Sequence, residues 1–498
     1  MKTVRHFIYG IAIFISVPFI SIAQKIPPPL PKIAPNLLRE DFSLLQKILE
    51  ANHPSLYWYV SKQELDSSFQ TSINRITDSL DEWQFKNRVA AVISQIRCGH
   101  TTVRFSKAYT KKAALYRYPQ FPLLLKAWGD SLVVLNSAIP RDSVFKRGTI
   151  ITGINGRTNR QILDTLFGFI STDGYSDNYK NQVISGNFPA WYKTIFGLDS
   201  SYRINYINAS GAESVALVKN INPLKDPGKK QIRIPMMAAK KPTRKETRKA
   251  ALLAKRSLTI DTILHTAFMS LSTFSGSGLR SFFRRSFKII REQNIPNLVI
   301  DLRTNGGGNV SNSILLTKYL ADHPFKVGDS VVAISRKFSY GRYIHPSLIY
   351  WLAMNFGAHK MDDGLIHFRY FERKYFQPKE KLHFNGNIYL VEGGYSFSAT
   401  TMFLSQMKGQ SNVKILGEES GGGYYGNSAM HIPNIILPNS GLQISLPMYK
   451  LVINAQHPKG HGVMPDIPIP PSSEAIKKGI DLKMVTIKEL LRHTTNGK

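Results

Sequence analysis

The chain has 498 residues, enough for roughly two to four domains, and its 43% hydrophobic residues with 11% aromatic ones indicate a globular protein. Its formal charge is +32, from 65 Lys and Arg against 33 Asp and Glu. Such an excess is compatible with nucleic acid, an anionic membrane surface or an anionic envelope as a partner. No nucleic-acid-binding module occurs in the sequence, so we expect no nucleic-acid partner.

The first 23 residues have the pattern of a secretory signal peptide. Lys2 and Arg5 precede an apolar stretch, 7–20, and residues 21–23 (Ser-Ile-Ala) form a small-x-small cleavage signal. The alternative is a retained anchor helix, but the apolar stretch is short for a bilayer. The single cysteine, Cys98, allows no internal disulfide, so stability must come from core packing. We therefore expect an exported protein, periplasmic or extracellular.

Helical periodicity dominates the region that follows. Apolar residues recur at helical spacing in 37–51, 61–76 and 81–96. Gly99 is a natural helix stop, and it leaves His100 at the start of an extended segment. A side chain in a turn between a helix and a strand is well placed for catalysis, although a lone histidine is more often structural or solvated.

Residues 121–218 are predicted to be rich in β-structure. Two short apolar runs, 121–125 and 131–135, flank a hairpin turn. A glycine, a β-branched strand, an Asn-Gly turn and a helix over 161–169 follow. This order resembles a PDZ-like module, in which an exposed strand edge accepts a peptide tail. The alternative is a plain β-rich insert without a ligand.

The segment 225–256 is strongly basic. It holds twelve Lys and Arg against two acids, Asp226 and Glu246, and prolines interrupt its first half. This composition is typical of a solvated linker. Contact with an anionic envelope component is the functional alternative.

From Ser257 onward strands and helices alternate, which predicts a mostly parallel sheet covered by helices. The predicted strands are 258–260, 266–271, 297–302, 330–334, 387–391 and 413–416; the predicted helices are 277–293, 311–322 and 399–408. Glycine turns at 306–308 and 393–394 follow two of these strands. Functional sites of parallel sheets gather at such carboxyl ends.

The stretch 392–401 combines a buried strand, a tight glycine turn and small hydroxyl residues that open a helix. This arrangement can present a nucleophile, because the helix N-terminus supplies unpaired N–H groups where an oxyanion would form. Ser396 and Ser398 are the candidates. The alternative is that these serines only cap the helix.

Five segments, taken together in their order along the chain, resemble the S41 peptidases. This family contains the C-terminal processing (tail-specific) proteases and the tricorn core proteases. The Asp-Leu-Arg-x-Asn-x-Gly-Gly segment is the most specific of the five. The segments are Cys-Gly-His-Thr at 98–101, Ile-Asp-Leu-Arg-Thr-Asn-Gly-Gly-Gly at 300–308, Tyr-Ser-Phe-Ser-Ala at 395–399, Gly-Glu-Glu-Ser-Gly-Gly at 417–422 and Gly-Val-Met-Pro-Asp at 462–466.

The resemblance implies an α/β fold, a ClpP/crotonase-like S41 catalytic core with an N-terminal helical region and a β-rich PDZ-like insert. It also implies polypeptide substrates, and we expect no cofactor and no metal. The predicted boundaries are a signal peptide at 1–23, an N-terminal helical region at 24–107, a PDZ-like domain at 108–222, a basic linker at 223–257, a catalytic core at 258–470 and a C-terminal helix at 471–498.

By the same resemblance, Ser398 is the nucleophile, and the backbone N–H groups of Gly307 and Ala399 hold the oxyanion. Processing proteases use a lysine as general base, but the matching position here is Gly423. Tricorn-like members use a histidine from the early motif, and His100 fits that place. A near-neutral imidazole can take the serine proton.

The group that orients His100 is open at this point. Tricorn-like enzymes carry a glutamate shortly before the Gly-Val-x-Pro-Asp segment, and this sequence has none there. Glu418, Glu419 and Asp466 are the candidate substitutes. The segment after the nucleophile also departs from the family, with Thr400 and Thr401 in place of Ser-Glu. The alternative function is therefore a catalytically degenerate S41-fold protein that binds a peptide or another ligand.

Overall fold

A computed structural model of the protein describes residues 30–116, 118–221, 243–355 and 357–496. The predicted signal peptide and the first part of the basic linker lie outside these residues.

The N-terminal region is helical, as predicted, and each of the three predicted helices is present within a few residues of its expected bounds. Capping boxes start α2, at Ser61 and Glu64, and α3, at Asp81 and Gln84. A 3₁₀ turn over Ser94–Ile96 extends α3. The elements are β1 (Lys32–Ile33), α1 (Pro35–Asn52), α2 (Lys62–Asn74), β2 (Leu80–Asp81), α3 (Glu82–Ile93), β3 (Val103–Arg104) and α4 (Lys107–Ala113).

The insert is an antiparallel sheet packed against three helices. Its strand order is β4-β5-β6-β8-β9, with β7 paired to β6. The elements are β4 (Leu123–Trp128), β5 (Ser131–Ser137), β6 (Ile150–Ile154), β7 (Arg157–Thr158), α5 (Asn159–Phe167), α6 (Asp177–Gly186), α7 (Phe188–Phe196), β8 (Ser201–Ile207) and β9 (Glu213–Lys219). Strand β4 lies at the edge of the sheet, but the Ala127 N–H donates to Ser185 Oγ of α6 over 2.8 Å. Part of the edge that a PDZ-like module would offer to a peptide is therefore already used.

The remaining chain alternates helices and strands before it becomes rich in short strands. Its elements are α8 (Arg244–Leu253), β10 (Arg256–Asp261), β11 (Thr266–Leu271), α9 (Leu279–Glu292), β12 (Asn297–Asp301), α10 (Val310–Leu320), β13 (Ser330–Ala333), β14 (Ile344–His345), α11 (Ser347–Asn355), β15 (His359–Lys360), β16 (Ile366–His367), α12 (Arg369–Arg373), β17 (Asn387–Glu392), α13 (Ala399–Met407), β18 (Val413–Gly417), β19 (Gly426–Ala429), β20 (Asn434–Ile436), β21 (Gln443–Ser445), β22 (Tyr449–Val452), β23 (Ile467–Pro468), α14 (Ser473–Lys478) and α15 (Leu482–Asn496).

The central sheet has the order β10-β11-β12-β17-β18-β23. Only the β10–β11 pair is antiparallel, which agrees with the predicted, mostly parallel sheet. Its two faces are covered by separate apolar clusters. Phe283, Phe287 and Phe403, from α9 and α13, pack on one face, and Ile487 and Leu491 of α15 pack on the other.

Three predictions for this region need correction. Strand β13 lies not in the parallel sheet but in an antiparallel one, of order β15-β16-β13-β22-β19. The second half of the basic linker is ordered, because Thr243 and Glu246 form a capping box that starts helix α8. The single C-terminal helix is two helices, because Gly479 adopts a left-handed conformation that ends α14.

Candidate active site

The two glycine turns meet at one edge of the central sheet. Strands β12 and β17 are parallel neighbours, and Asp301 pairs with Val391 near their carboxyl ends. The chains that leave both strands are joined by a hydrogen bond from the Phe397 N–H to the Asn305 carbonyl, at 3.1 Å. Parallel pairing thus brings together two motifs that are almost ninety residues apart in the sequence.

Ser398 occupies a strained turn at the head of helix α13. Its backbone angles are φ 57° and ψ −121°, in a region that favours glycine. The side chain forms no capping hydrogen bond with the helix and is only half-buried. The capping alternative therefore fails for Ser398, and the sharp strand-to-helix turn resembles the nucleophile elbow of α/β-hydrolases.

Ser396 has a structural role. It is fully buried, and its Oγ donates to the Leu302 carbonyl over 2.9 Å and accepts from the Gly393 N–H over 3.1 Å. Leu302 directly follows strand β12 and Gly393 lies in the turn after strand β17, so this hydroxyl links the carboxyl ends of the two strands. It is not available as a nucleophile.

Gly307 lies directly against the Ser398 turn. A Cβ atom at this position would come within 2.8 Å of Ser398 Cβ and 2.9 Å of the Ala399 nitrogen, and the φ of Gly307 is +93°. Only glycine permits this approach. The Gly307 N–H donates to Asn305 Oδ1 over 3.0 Å. To bind an oxyanion, this N–H would have to share or break that hydrogen bond, so its role as an oxyanion donor stays a prediction.

The first turn of α13 supplies N–H groups without intrahelical acceptors. The Ala399 N–H, at the first helical position, is one of them. Within the described residues, the N–H of Gly308 on the opposing turn also has no hydrogen-bond partner. The predicted oxyanion donor Ala399 is therefore in a suitable position, and Gly308 is a further candidate.

His100 follows a tight turn that is packed against the residue before the nucleophile. Its ring centroid lies 5.0 Å from that of Phe397, and the ring of Tyr179 lies 5.0 Å from Phe397 on the insert side. A Cβ at Gly99 would overlap the tip of the Phe397 ring, so a larger residue would displace this ring. Phe397 therefore holds the predicted base next to the Ser398 turn, a role that sequence reasoning missed.

The surroundings of His100 favour its neutral form. Burial lowers the pKa of the imidazole to about 4. At neutral pH the ring is uncharged, so it can accept a proton. Its Nδ1 atom is buried and has no hydrogen-bond partner within the described residues.

None of the three acids predicted to orient His100 is bonded to it. Glu418 forms a salt bridge with Lys483 at 2.7 Å, and Asp466 forms one with Lys408 at 2.8 Å. Glu419 accepts from the Gly462 N–H over 2.8 Å. All three carboxylates hold the loops around the site, and each already has a partner.

Asp173 is a second residue that sequence reasoning missed. It is 2% exposed and lies in the insert, where it accepts from the Gly99 N–H over 2.8 Å and from the Gly423 N–H over 3.4 Å. Burial raises its pKa to about 7. One carboxylate therefore joins the turn before His100 to the loop that follows the Gly-Glu motif. A single aspartate in a turn carries no recognisable sequence signal.

The position that holds lysine in processing proteases has no room for a side chain here. A Cβ at Gly423 would overlap the carbonyl oxygen of Gly426. The loop geometry thus agrees with the absence of lysine from the sequence, and a Ser/Lys dyad at this position is excluded.

The charged residues of the Asp-Leu-Arg motif are structural. Arg303 forms salt bridges of 2.7 Å with Asp301 and with Asp481, just before helix α15. This bridge fixes the C-terminal helix to the end of strand β12. Within the described residues, no group of three or more His, Cys, Asp or Glu side chains is arranged to hold a metal ion.

Residues 265–469 match the model of peptidase family S41, and no curated protein sequence matches significantly. The crystal structure of mature CPAF has a TM-score of 0.61 at 14% identity, over 93% of this chain and 98% of CPAF. The structure of mature CPAF complexed with lactacystin has a TM-score of 0.60 at 14% identity, over 93% of this chain and 99% of that one. The structure of a putative peptidase from Parabacteroides merdae has a TM-score of 0.46 at 13% identity, over 92% of this chain and 96% of that one.

At this level of identity, the likeness to CPAF shows a shared fold that extends over the helical region, the insert and the core. The family match covers both glycine turns, Ser398 and the Gly-Glu motif. Residues 265–469 therefore carry the sequence pattern of peptidase family S41, a family of serine peptidases.

Proposed function

We propose that the protein is an exported serine peptidase that cleaves polypeptide substrates with Ser398 as nucleophile and His100 as general base. One observation carries the proposal: Ser398 is held in a strained turn at the head of α13, with Gly307 against it and no capping bond on its side chain. Strain of this kind persists only where the surrounding structure enforces it, and it is concentrated at functional sites.

In the proposed mechanism, the Ser398 oxygen attacks the scissile carbonyl carbon while the neutral imidazole of His100 takes the hydroxyl proton. The imidazolium then returns this proton to the leaving amine, and an acyl-enzyme remains. Water attacks the acyl-enzyme with His100 again as base, which releases the product and restores the serine.

The oxyanion of each tetrahedral intermediate is assigned to the Ala399 N–H and to an N–H of the glycine turn at 306–308. One such donor is worth roughly 3–4 kcal/mol in the transition state. With its pKa lowered to about 4, His100 is neutral over the physiological range and can accept a proton, although it is a weaker base than a solvated histidine.

A second candidate function is peptide binding without hydrolysis. The unpartnered Nδ1 of His100 favours it, because catalytic histidines of serine hydrolases are normally oriented by a third group. In that case Ser398 and His100 would line a site that holds a peptide but does not acylate.

A fluorophosphonate probe separates these two functions. We expect covalent labelling of the wild type, none of Ser398→Ala and retained labelling of Ser396→Ala, with circular dichroism to check that each variant is folded. A folded wild type that is not labelled would exclude the peptidase mechanism and leave the binding function.

Export rests on the N-terminal pattern, and contact of the basic linker with an anionic envelope surface rests on its composition. Among the helices of the described residues, none has both the length and the apolar character required to span a bilayer. Intact mass of the protein purified from its own host tests the export proposal. We expect a mature chain that begins after Ala23.

A further inference from the structure

Helix α11 presents its apolar side chains outward. Leu348, Ile349, Trp351 and Leu352 are 66%, 64%, 42% and 43% exposed. At 100° per residue these four lie on one face of the helix, and the helix contains no charged residue. Clustered exposed apolar residues of this size mark a binding surface more often than chance exposure does.

The opposite face fixes the helix to the body of the protein. Met354 is fully buried in the core that includes the N-terminal helices, and the Tyr350 hydroxyl donates to the Ile432 carbonyl over 3.3 Å. The outward orientation of the apolar face is therefore set by packing. Rotation of the helix to hide this face would expose Met354.

The sequence around the helix is basic. Arg342 precedes α11 and Lys360 follows it on the next strand, and both are exposed. Residues 336–381 contain nine Lys and Arg against four Asp and Glu, a balance of +5. The basic residues are Arg336, Lys337, Arg342, Lys360, Arg369, Arg373, Lys374, Lys379 and Lys381.

We infer that this face binds an anionic lipid surface, with the apolar side chains of α11 inserted between the headgroups and the flanking Arg and Lys at the phosphates. The helix supplies an exposed apolar surface with a tryptophan that can insert at a bilayer interface, and the basic residues that attract anionic headgroups lie outside the helix, in the segments that flank it. This inference is independent of the peptidase proposal and of the basic linker at 223–257, and it needs no membrane-spanning segment.

Charge selects lipid over a second copy of this chain as the occupant. Two copies of the mature chain, without Lys2 and Arg5, would each carry a formal charge of +30 (32 − 2) and repel each other, whereas an anionic bilayer attracts both the whole protein and the local basic segment. The apolar face, with the exposed Arg342 and Lys360 before and after it in the sequence, is therefore complementary to a negatively charged bilayer.

The test is co-sedimentation of the full mature chain with vesicles of phosphatidylcholine, with and without phosphatidylglycerol. The variant Leu348→Gln/Ile349→Gln/Leu352→Gln removes the apolar face. Its matched control is Leu115→Gln/Leu217→Gln/Ile263→Gln, which changes three side chains at least as exposed in other parts of the protein. Thermal unfolding checks that both variants are folded.

We expect the wild type and the control to bind anionic vesicles, and the α11 variant to bind at least about tenfold more weakly. Equal binding by the wild type and the α11 variant would overturn the inference, as would no binding of the wild type to anionic vesicles. Self-association that is lost in the α11 variant, without vesicle binding by the wild type, would instead assign the face to a second copy. Fluorophosphonate labelling in solution should be the same for all three proteins.

Discussion

The imidazole of His100 lies 5.0 Å, centroid to centroid, from the ring of Phe397, the residue directly before Ser398. The two motifs come from the first and the last third of the chain, so their proximity is a property of the fold alone. The ring of Tyr179 of the insert also lies 5.0 Å from that of Phe397. The predicted base therefore depends on packing among the helical region, the insert and the core.

This environment predicts the pH dependence of hydrolysis. The pKa of His100 is lowered to about 4, and the base is active when neutral, so kcat/KM should rise as pH increases through about 4 rather than through the ordinary histidine value. Steady-state hydrolysis of a peptide substrate from pH 3.5 to 8 measures it. The His100→Gln variant should lose activity throughout this range. A fall of kcat/KM at acid pH that is centred near the ordinary histidine pKa of about 6.5 would contradict a desolvated His100.

Gly307→Ala should inactivate the enzyme and destabilise it. The new Cβ would come within 2.7 Å of the Phe397 carbonyl oxygen and would require a left-handed backbone at alanine. We expect at least a 100-fold slower probe labelling and a free energy of unfolding lower by about 1–3 kcal/mol. Urea unfolding and labelling kinetics measure the two effects.

The neighbouring Gly306→Ala is the control for this variant. A Cβ at Gly306 meets nothing within 4 Å, and its φ is not positive. Its stability and labelling rate should stay close to those of the wild type. A similar loss in both variants would mean that the turn as a whole, rather than the approach of Gly307 to Ser398, sets activity.

Replacement of Ser398 should reveal the strain in its turn. Glycine adopts φ 57° and ψ −121° readily and alanine does not. Ser398→Gly should therefore unfold with a free energy about 1 kcal/mol higher than Ser398→Ala, although both are inactive. Chemical denaturation of the two variants measures the difference, and equal stability would show that the turn carries no strain.

Ser396→Ala should lose stability but keep the reactivity of Ser398. It removes a buried hydroxyl that bonds Leu302 and Gly393, so we expect a loss of about 1–3 kcal/mol in the free energy of unfolding. Labelling of Ser398 should persist in the folded fraction. Loss of labelling in a fully folded Ser396→Ala variant would contradict the separation of the two roles.

Asp173→Asn should change how stability depends on pH. The pKa of Asp173 is raised to about 7 by burial, so the folded state binds the proton more tightly than the unfolded state. Its contribution to stability is present below the unfolded value near 4 and is lost as pH rises through 7. The free energy of unfolding of the wild type, relative to Asp173→Asn, should therefore fall by up to about 4 kcal/mol between pH 4 and pH 8.

Urea unfolding at several pH values measures this difference. The lowered pKa of His100 has the opposite effect, because it makes stability rise with pH over about 4–6.5. His100 is present in both proteins, so its contribution cancels when the free energy of unfolding of Asp173→Asn is subtracted from that of the wild type. A difference that does not vary with pH would mean that Asp173 keeps its ordinary pKa in the folded protein.

Much of the local structure followed from the sequence. The helices α1, α2, α3, α9 and α13 and the strands β11, β12 and β17 lie within a few residues of their predicted bounds, because each has a clear apolar period and a definite end signal. Strand β13 was assigned to the wrong sheet, since a short apolar run does not reveal its pairing partner.

At the site, the sequence by itself determined the candidate residue types and their motifs: two glycine turns at strand ends, two serines before a helix, and a histidine after a glycine. It did so because turns, caps and periodicity are local properties. The tertiary structure decided what depends on distant contacts. The family resemblance had already favoured Ser398 over Ser396; the tertiary structure adds the bond of Ser396 to Leu302, and it packs His100 against Phe397.

The tertiary structure also gave other partners to the three predicted orienting acids and introduced Asp173 from the insert. Hydrogen bonds between residues 43 to 250 positions apart fix these roles, and such pairings leave no periodic trace in the sequence.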